Sequence, residues 1–362
     1  MRILHAITAP GSGGAELLVL DMAEKLVEQG YEVIVVFLEH RDHDFAKFYL
    51  RKLESLGVRH LFLGRHVRKK PLKGALGFRR AIKELKPDVV HCHNFYFAAF
   101  CTLTFLSGPK FFYTHHNIKI KASPKIFKLL DRKMHAYIGI CNACSDKIEK
   151  HTSRPVIKIQ NGANMDRFYP LDHKFRLKRS EENIAILYVG NLSSQKNISL
   201  LIRGFSIIKS SLARGDIELH IVGDGPERLQ LERFCLRIGV KNSVTFHGRK
   251  PNVFKYLQGA DIFALSSFWE GLPISLIEAS LCGLPTITTN VGGCAEIGHE
   301  VGNAVVVDSF APNEYADKLH RLVTDNEFRS ALALNARKFS GYYRIERVVR
   351  EHLKVYSDDY MQ

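Results

Sequence analysis

Segments of strand character alternate with segments of helical apolar spacing along the chain of 362 residues. The first run starts with a strand at residues 1–8 and a helix at Ala15–Gln29, and it ends with a strand at Val156–Gln160. A second run starts at Ile184–Val189. Repeated βα units of this kind predict α/β domains, each with a parallel sheet covered by helices on both faces. Ligands of such sheets gather at the carboxyl ends of the strands.

The polar stretch Leu171–Asn183 separates the two runs and predicts a domain boundary. We expect an N-terminal Rossmann-like domain over residues 1–168 and a second one over residues 183–340. Residues 341–362 then form a C-terminal helical segment. A chain of this length can bury two separate cores.

The seven cysteines are scattered, and Cys141 with Cys144 forms a single C-x-x-C without a second pair. This pattern favours reduced, structural thiols over redox or zinc chemistry. Met1–Ile7 reads as a first strand in place of a secretory signal, so we expect a cytoplasmic protein. The longest apolar run, Phe95–Leu106, is far shorter than the ~20 residues that a membrane-spanning helix needs.

The positive charge is concentrated in the first half of the chain. Residues 1–167 hold 28 Lys and Arg against 15 Asp and Glu, whereas residues 168–362 hold 24 against 22. Much of the excess lies in the loop Arg65–Lys70 and in a predicted helix at Lys125–Lys133, which interleaves basic and apolar side chains. A solvated face explains such runs in many proteins. The alternative is an acidic partner: a phosphorylated acceptor, nucleic acid or an anionic membrane surface.

The stretch Ser266–Ala279 combines the end of a strand, a turn and the start of a helix. Gly271 and Pro273 lie in the turn, with the proline near the first helical position. Free N–H groups and the positive end of the helix dipole then favour a phosphate. Glu270 and Glu278 are placed to face the same pocket, where carboxylates accept hydrogen bonds from sugar hydroxyls.

Glu270 and Glu278, with Gly-Leu-Pro between them and Ala-Ser-Leu-Cys-Gly-Leu-Pro following, resemble the signature of the family 4 retaining glycosyltransferases. The resemblance implies the GT-B fold, with two Rossmann-like doubly wound domains facing across a cleft and a C-terminal helix crossing back to the first domain. It assigns Glu278 to the donor ribose. Glu270 and the backbone of Gly271 and Leu272 are assigned to the transferred sugar and the diphosphate. Matches run from Gly13 to Glu296.

A glycine-rich loop, Pro10–Gly14, precedes the first predicted helix. Its pattern approaches a dinucleotide-binding fingerprint, but Glu16 stands where the third glycine belongs, which disfavours hydride transfer. The loop still suits an anion, since it leads into a helix N-terminus. Gly13 and Gly14 also match the family, and the resemblance places them opposite the donor diphosphate.

The first loop of the second domain contains Asn191 and Lys196. By resemblance Lys196 belongs to a cationic clamp on the diphosphate, but the family usually has an arginine where this chain has Asn191. An amide donates hydrogen bonds without adding charge, so either Lys196 and the two helix ends suffice or another cation substitutes, for which Arg249 is the candidate. Gly223 and Gly225 form a further strand-to-helix turn, in which the lack of side chains lets backbone approach a ligand.

Histidines lie at two predicted strand ends: His91 and His93 at one, His115 and His116 at the other. A structural role is favoured for His91 and His115. A zinc site formed by the four histidines is disfavoured, because no acidic ligand is adjacent in sequence. The resemblance aligns His116 with a histidine that contacts the donor sugar at the reaction centre, and His93 with a position nearer the acceptor.

Asp42-His43-Asp44 has the D-x-D spacing of a metal motif found in a different glycosyltransferase fold. It opens a predicted helix, where Asp is a favoured cap, so we interpret it as a helix start. The resemblance likewise implies a reaction without a metal and without a cofactor besides the donor.

These features predict a retaining glycosyltransferase with His116, Glu270 and Lys196 as catalytic residues. It would move a hexosyl or N-acetylhexosaminyl group, most simply from a UDP-sugar, to a glycan or lipid-linked acceptor. Relatives of this kind build bacterial surface polysaccharide or lipopolysaccharide, which suggests a peripheral location on the cytoplasmic face of the inner membrane. The alternatives are a nucleotide-sugar epimerase of the same fold and a basic nucleic-acid-binding protein, although the chain has no recognised DNA or RNA motif.

Overall fold

The computed structural model describes residues 1–64, 67–103, 108–119, 124–164, 166, 177, 180, 183–212, 217–250 and 252–359. The predicted basic residues Arg65 and His66, and most of the predicted boundary around Leu171–Asn183, lie outside this part of the chain. The protein forms two compact units. The first unit contains Met1–Gly162 and Ile345–Gln362, and the second contains Ala163–Arg344.

The first unit is built on a parallel sheet of seven strands in the order β3-β2-β1-β4-β5-β6-β7. The strands are β1 Arg2–Ile7, β2 Glu32–Phe37, β3 Arg59–Phe62, β4 Val89–Cys92, β5 Lys110–His115, β6 Met134–Gly139 and β7 Val156–Lys158. The intervening helices are α1 Gly14–Glu28, α2 Asp44–Ser55, α3 Pro71–Leu85, α4 Phe95–Thr102, α5 Pro124–Leu130 and α6 Asn142–Glu149. The strand order reverses between β1 and β4, which marks the edge where ligands bind in doubly wound sheets.

The second unit repeats this plan with six parallel strands in the order β10-β9-β8-β11-β12-β13. The strands are β8 Ile184–Val189, β9 Ile217–Val222, β10 Val244–Gly248, β11 Ile262–Ala264, β12 Thr286–Thr289 and β13 Ala304–Val307. The helices are α7 Ile198–Ser211, α8 Arg228–Arg237, α9 Phe254–Gln258, α10 Ile274–Leu281, α11 Gly293–Val301, α12 Pro312–Thr324 and α13 Asn326–Phe339. Two parallel Rossmann-like units confirm the predicted fold class.

The last helix, α14 Ile345–Tyr356, belongs to the first unit. Its buried residues recur at helical spacing and join the core on one face of the first sheet, together with side chains of α1 and α2. The opposite face is covered by α3, α4 and α5. Alternate residues of each strand point to the two faces: Ile3 and Ile7 of β1 face α14, whereas Leu4 and Ala6 face the other core.

Two local predictions need correction. His43, not an aspartate, caps α2, since its Nδ1 accepts a hydrogen bond from the Ala46 N–H at 3.0 Å. The basic helix predicted to continue to Lys133 ends at Leu130. It stops there because the chain turns at Asp131, whose carboxylate accepts hydrogen bonds from the residues around Thr152, and then enters β6.

None of the described helices is both long enough and apolar enough to cross a membrane.

Candidate functional site

The sequence motif around Glu270 lies at the switch point of the second sheet, where β8 and β11 pair side by side. The loop after β8 carries Asn191 and Lys196, and the loop after β11 carries Glu270. These two loops are tied together: the Ser266 hydroxyl donates to the Asn197 carbonyl at 2.9 Å. Side chains that are about 75 residues apart in sequence therefore meet at the carboxyl edge of one sheet.

Lys196 and Glu270, both predicted to be catalytic, form an ion pair with 2.5 Å between Nζ and Oε1. The Ser267 hydroxyl donates to the same carboxylate oxygen at 2.6 Å, and Gln195 Nε2 donates to Oε2 at 3.3 Å. Glu270 is buried, and this set of donors compensates its charge. The Lys196 ammonium has three N–H donors, so it can contact an incoming anion while it keeps its bond to Glu270.

The helix that follows the motif begins as predicted, directly after the Gly-Leu-Pro turn. Pro273 is the N-cap, with φ −71° and ψ 123°, and its carbonyl accepts the Leu276 N–H at 3.1 Å. The first N–H groups of such a helix have no partner inside the helix, which suits an anionic ligand. Glu278 lies buried within α10. Burial, with the charge of Glu278 close by, raises the pKa of the Cys282 thiol.

Glycines bring the loops of this edge into backbone contact. A Cβ added at Gly223, where φ is +146°, would lie 1.8 Å from the Gly190 carbonyl oxygen. A Cβ at Gly225 would lie 2.3 Å from the Leu192 oxygen, and one at Gly292 would lie 2.0 Å from the Glu270 oxygen. The prediction explained Gly223 and Gly225 by approach to a ligand. In the structure, neighbouring protein backbone already requires both glycines.

Three residues bear on the cation that is expected to replace the family's arginine: Asn191, Arg249 and Arg228. Asn191 is exposed, and its carbonyl accepts a hydrogen bond from the Tyr188 hydroxyl at 3.1 Å. Arg249 is also exposed, and it makes no ion pair with the described residues. Arg228 reaches the same edge, where a Cβ at Gly248 would lie 3.2 Å from its Nη1, but Glu232 holds its Nε at 3.0 Å.

The glycine loop of the first unit differs from the predicted anion site. Gly13 is the N-cap of α1, and a Cβ there would lie 2.3 Å from Glu16 Oε2. The Glu16 side chain thus folds back over the loop, and burial raises the pKa of its carboxyl group. A carboxyl group of the protein itself already occupies the helix N-terminus that begins at Gly14.

Three histidines from three strands of the first unit form a continuous line of hydrogen bonds, here called the histidine series. His116 Nε2 lies 3.1 Å from His93 Nδ1, and His93 Nε2 lies 2.9 Å from His5 Nδ1. Burial is the main cause that lowers the pKa of His5 and His116 to about 3 and the pKa of His93 well below its ordinary value. All three rings are therefore neutral at pH 7.

His91 lies beside this series, and α14 covers it. Its Nδ1 bonds the Tyr356 hydroxyl at 2.6 Å, and its Nε2 bonds Thr114 Oγ1 at 2.6 Å. His352, also on α14, bonds the Val348 carbonyl through Nδ1 at 2.7 Å. The sequence interpretation missed His5, His352 and Tyr356. Alternation along β1 places His5 on the same face as His91, but nothing local in the sequence links either of them to a helix more than 250 residues away.

The structure separates His115 from the other histidines. Because successive strand residues point to opposite faces, His115 turns toward the Tyr113 hydroxyl, 2.8 Å from its Nδ1. Burial, with Lys147 nearby, lowers the pKa of His115 to about 4. The four-histidine metal site weighed from the sequence therefore does not form.

Another histidine group has the spacing of metal ligands. Among the described residues, one nitrogen from each of His5, His91 and His93 lies within 4.8 Å of the other two. Both nitrogens of His91 and both of His93 are engaged in the hydrogen bonds given above, so a metal would have to replace at least one bond of each ring, whereas His5 Nε2 has no partner among the described residues.

The comparisons with known families cover both units. The sequence matches Glycosyltransferase Family 4 over residues 12–167 and Glycosyl transferases group 1 over residues 171–339. One similar protein, from Campylobacter jejuni, is named GalNAc-alpha-(1->4)-GalNAc-alpha-(1->3)-diNAcBac-PP-undecaprenol alpha-1,4-N-acetyl-D-galactosaminyltransferase. It is 25% identical over 365 residues, which cover 99% of each chain.

A second relative, from Escherichia coli, is named UDP-Gal:alpha-D-GlcNAc-diphosphoundecaprenol alpha-1,3-galactosyltransferase. It is 23% identical over 301 residues, which cover 77% of this chain and 78% of the relative. Among solved structures, Anabaena HepE in complex with UDP-glucose matches with a TM-score of 0.85 at 18% identity, over 99% of this chain and 100% of the other. This likeness shows that the fold is GT-B.

Proposed function

Since this chain belongs to the family of group 1 glycosyl transferases, with a glycosyltransferase family 4 domain in its first half, we propose that it is a retaining enzyme that uses a UDP-sugar and needs no metal. One observation carries the proposal: Lys196 and Glu270 meet beside the N-terminus of α10, at the switch point of the second sheet. This edge offers a cation, the N–H groups of a helix N-terminus and a carboxylate, which match a diphosphate joined to a sugar.

In this proposal Lys196 and the amides of Gly271 and Leu272 hold the diphosphate. As the bond to the sugar breaks, negative charge grows on the departing phosphate oxygen, and donors already in place stabilise it without reorganising. Glu278 accepts hydrogen bonds from the ribose hydroxyls. Glu270 accepts from a hydroxyl of the transferred sugar while Lys196 and Ser267 keep its carboxylate oriented.

The remaining predicted contacts keep smaller roles. Asn191 donates an amide hydrogen bond to the diphosphate, and Arg249 adds the charge that Asn191 lacks. Gly223 and Gly225 hold the loop after β9 against the loop after β8, so that both loops line the donor. His116 contacts the transferred sugar and stays neutral, so it takes part through a hydrogen bond and not through its charge.

The names of the relatives support the choice of donor and acceptor. The Escherichia coli protein is named for UDP-Gal and a diphosphoundecaprenol acceptor, and the Campylobacter jejuni protein for a PP-undecaprenol acceptor. The solved Anabaena protein is in complex with UDP-glucose. We therefore propose a hexosyl or N-acetylhexosaminyl transfer from a UDP-sugar to a lipid-linked glycan, in the synthesis of bacterial surface polysaccharide or lipopolysaccharide.

A lipid-linked acceptor calls for contact with a membrane, and α3 has a suitable surface. Its exposed residues recur at helical spacing along one side and, apart from Pro71 and Glu84, they form what is here called the basic face: Leu72, Lys73, Leu76, Arg79, Arg80 and Lys83. Leu72 is 71% exposed and Leu76 is 65% exposed. Helix α4 packs against both α3 and α5. Helix α5 adds four exposed residues of the same kind to this surface: Lys125, Ile126, Lys128 and Leu129. Each cation contributes about 1 kcal/mol at an anionic surface, while the leucines add apolar contact.

Calorimetry with UDP, UDP-glucose, UDP-galactose and their N-acetyl forms tests the donor site. We expect binding to one sugar series with and without EDTA, and at least about tenfold weaker binding by Glu278→Gln, because the ribose loses a charged acceptor. Glu327→Gln, which neutralises an exposed acid of α13, is the matched control. Absence of binding in a folded sample would refute the donor site.

Product analysis tests the reaction itself. With a donor of known anomeric configuration and a diphosphoundecaprenol-linked sugar as acceptor, NMR of the product should show the configuration of the donor retained. An inverted configuration in the product would contradict the proposed retaining mechanism, but it would still support the proposal that the protein transfers a sugar. Conversion of the donor to an epimer without any acceptor would instead favour the epimerase alternative.

Cosedimentation with vesicles tests the basic face. The wild type should bind phosphatidylglycerol vesicles and lose binding in high salt, since its cations face the lipid. The double variant Leu72→Ser/Leu76→Ser should bind several-fold more weakly. Leu229→Ser/Leu236→Ser, which alters two exposed leucines of α8, should bind like the wild type. Equal binding by both double variants would exclude α3 as the contact.

A further inference from the structure

The histidine series ends in two nitrogens without partners. Among the described residues, His116 Nδ1 and His5 Nε2 are buried side-chain atoms that have no hydrogen-bond partner. His116 lies at the carboxyl end of β5, where a ligand can arrive, whereas His5 lies inside the sheet and is fully buried. The two ends of the series are therefore not equivalent.

Counting protons limits the states of the series to two. A neutral imidazole carries one proton on two nitrogens, so three rings carry three protons. Two of these lie in the two hydrogen bonds between the rings. The third must lie at one end, either on His116 Nδ1 or on His5 Nε2. Changing one state into the other requires a proton to leave at one end and another to enter at the buried end.

The surroundings favour one of these states. Each state leaves one N–H without an acceptor in the free protein, and such a buried N–H is rarer in proteins than a buried acceptor without a donor. A ligand that arrives at the end of β5 can bring an acceptor to His116 Nδ1, whereas His5 lies inside the sheet, where no ligand can bring one. This places the bare nitrogen at His5 Nε2. His5 then donates from Nδ1 to His93, His93 donates from Nδ1 to His116 Nε2, and His116 keeps a proton on Nδ1.

On the basis of the proposed function, we propose that His5 and His93 are positioning residues that lock His116 as a neutral hydrogen-bond donor, through Nδ1, to a hydroxyl oxygen of the transferred sugar. In free solution an imidazole exchanges between its two tautomers, so only part of the population would present this donor. The series removes the wrong tautomer before substrate binds, in the same way that other enzymes orient a histidine through its second nitrogen.

The groups that act electrostatically on the series keep it neutral. They are His91 from β4, His115 from β5 and His352 from α14, and α14 also brings Tyr356 to His91. Arg347 acts on the series only through its effect on His352. Since no carboxylate is among these described groups, nothing in them favours an imidazolium within the series.

Nitrogen NMR of protein labelled with ¹⁵N-histidine tests the tautomer without any substrate. The wild type should show His116 with a protonated Nδ1 and a bare Nε2, assigned by loss of the signals in His116→Gln. In His93→Leu the His116 signals should shift toward a mixture of tautomers. His115→Leu removes a buried histidine on the opposite face, and it should leave His116 in the same tautomer, with a protonated Nδ1 and a bare Nε2.

Kinetics with conservative replacement separates positioning from packing. We expect His93→Leu to lower kcat/KM about tenfold, the effect of one hydrogen bond, and His93→Gln to restore most of it. The Gln amide can accept from His5 and donate to His116, whereas a purely structural position would tolerate Leu better than Gln. His115→Leu should stay within about twofold of the wild type, with folding checked by thermal denaturation.

The possible results are distinguishable. A wild-type His116 with a protonated Nε2, or His93→Gln no better than His93→Leu, would overturn the positioning role while leaving the transferase proposal intact. Zinc at one equivalent per chain, lost in His5→Ala, would also overturn it, because the histidines would then be metal ligands. If no donor or acceptor supported transfer, the NMR result would still decide the tautomer, and the failure would belong to the proposed function.

Discussion

The two units share one topology, a parallel sheet with a switch point. They differ in the residues and interactions at the carboxyl edge of the sheet. In the first unit the edge consists of buried neutral imidazoles joined side chain to side chain. In the second unit glycines bring the loops into backbone contact, and an ion pair between Lys196 and Glu270 stands among them. One edge depends on protonation, whereas the other depends on close packing and fixed charge.

This difference corrects a simple interpretation of the charge distribution. The first half of the chain holds almost all of the positive excess, 28 basic against 15 acidic residues over 1–167. Yet the edge of the first unit is uncharged at its histidines, and four of the 28 cations lie on the basic face of α3. The cation that faces a candidate anion site is Lys196, in the nearly neutral second half. Net charge thus indicates partners of a surface and not the position of a site.

The largest expected difference between the two units is their loss of folding stability as the pH falls. Besides the exposed His135, six histidines of the first unit have pKa values lowered mainly by burial: His5, His91, His93, His115, His116 and His352. Each is neutral when folded and binds a proton when unfolded, so folding stability is lost as pH falls below about 6.5. The loss is about 1.4 kcal/mol per pH unit for each such group, until its folded pKa is reached.

Hydrogen exchange followed by mass spectrometry, corrected for the intrinsic rate at each pH, measures this difference. Between pH 7 and pH 5 the strands of the first unit should lose protection before those of the second, where burial lowers the pKa of His247 to about 4. Loss of protection in the second unit first would contradict the assigned neutral state of the series.

Removing the fixed charge of the second unit should affect chemistry. Lys196→Ala takes away a donor to the leaving group, and we expect transfer to slow about 10²–10³-fold. The variant also leaves the buried Glu270 without its ammonium partner, so its folding must be compared with that of the wild type by thermal denaturation. Lys209→Ala, near the other end of α7, removes the same charge and serves as control. Normal transfer by a folded Lys196→Ala protein would refute the clamp.

The backbone contacts of the second unit can be tested with two glycines. Gly223→Ala introduces a Cβ 1.8 Å from a carbonyl oxygen, whereas Gly239→Ala, at φ +76°, meets nothing within 4 Å. Both substitutions carry the cost of a left-handed residue, about 1–2 kcal/mol. We expect Gly223→Ala to lose about 1–3 kcal/mol more from overpacking. Equal denaturant midpoints for the two variants would mean that the loops do not depend on this contact.

Much of the fold followed from the sequence, because periodicity and turn residues are local signals. Alternation predicted the two parallel sheets, and the Gly-Leu-Pro turn predicted α10, which spans Ile274–Leu281 in the structure. The predicted end of α5 was wrong, because the chain turns at Asp131, and the contacts that Asp131 makes there come from residues around Thr152. Propensity alone cannot report such a contact.

The candidate site was predictable where it rests on a continuous motif. Glu270 and Lys196 were found separately, but their direct ion pair depends on two loops that meet only at the switch point. The histidine series was found in part: His93 and His116 stand at strand ends, whereas His5 lies within β1. Tautomers and partners on α14 require three-dimensional contacts, for which a single sequence carries no signal.

The place of α14 in the first unit has a consequence for biosynthesis. Residues 1–162 leave the ribosome long before Ile345–Tyr356, so the part of one sheet face that α14 covers stays open while the whole second unit is translated, although α1 and α2 already pack on that face. During this time His91 lacks the Tyr356 hydroxyl, and the apolar side chains that α14 will cover are open to chaperones and to other nascent chains. A premature stop codon after Arg344 would release a polypeptide with an intact second unit and a first unit that cannot finish folding.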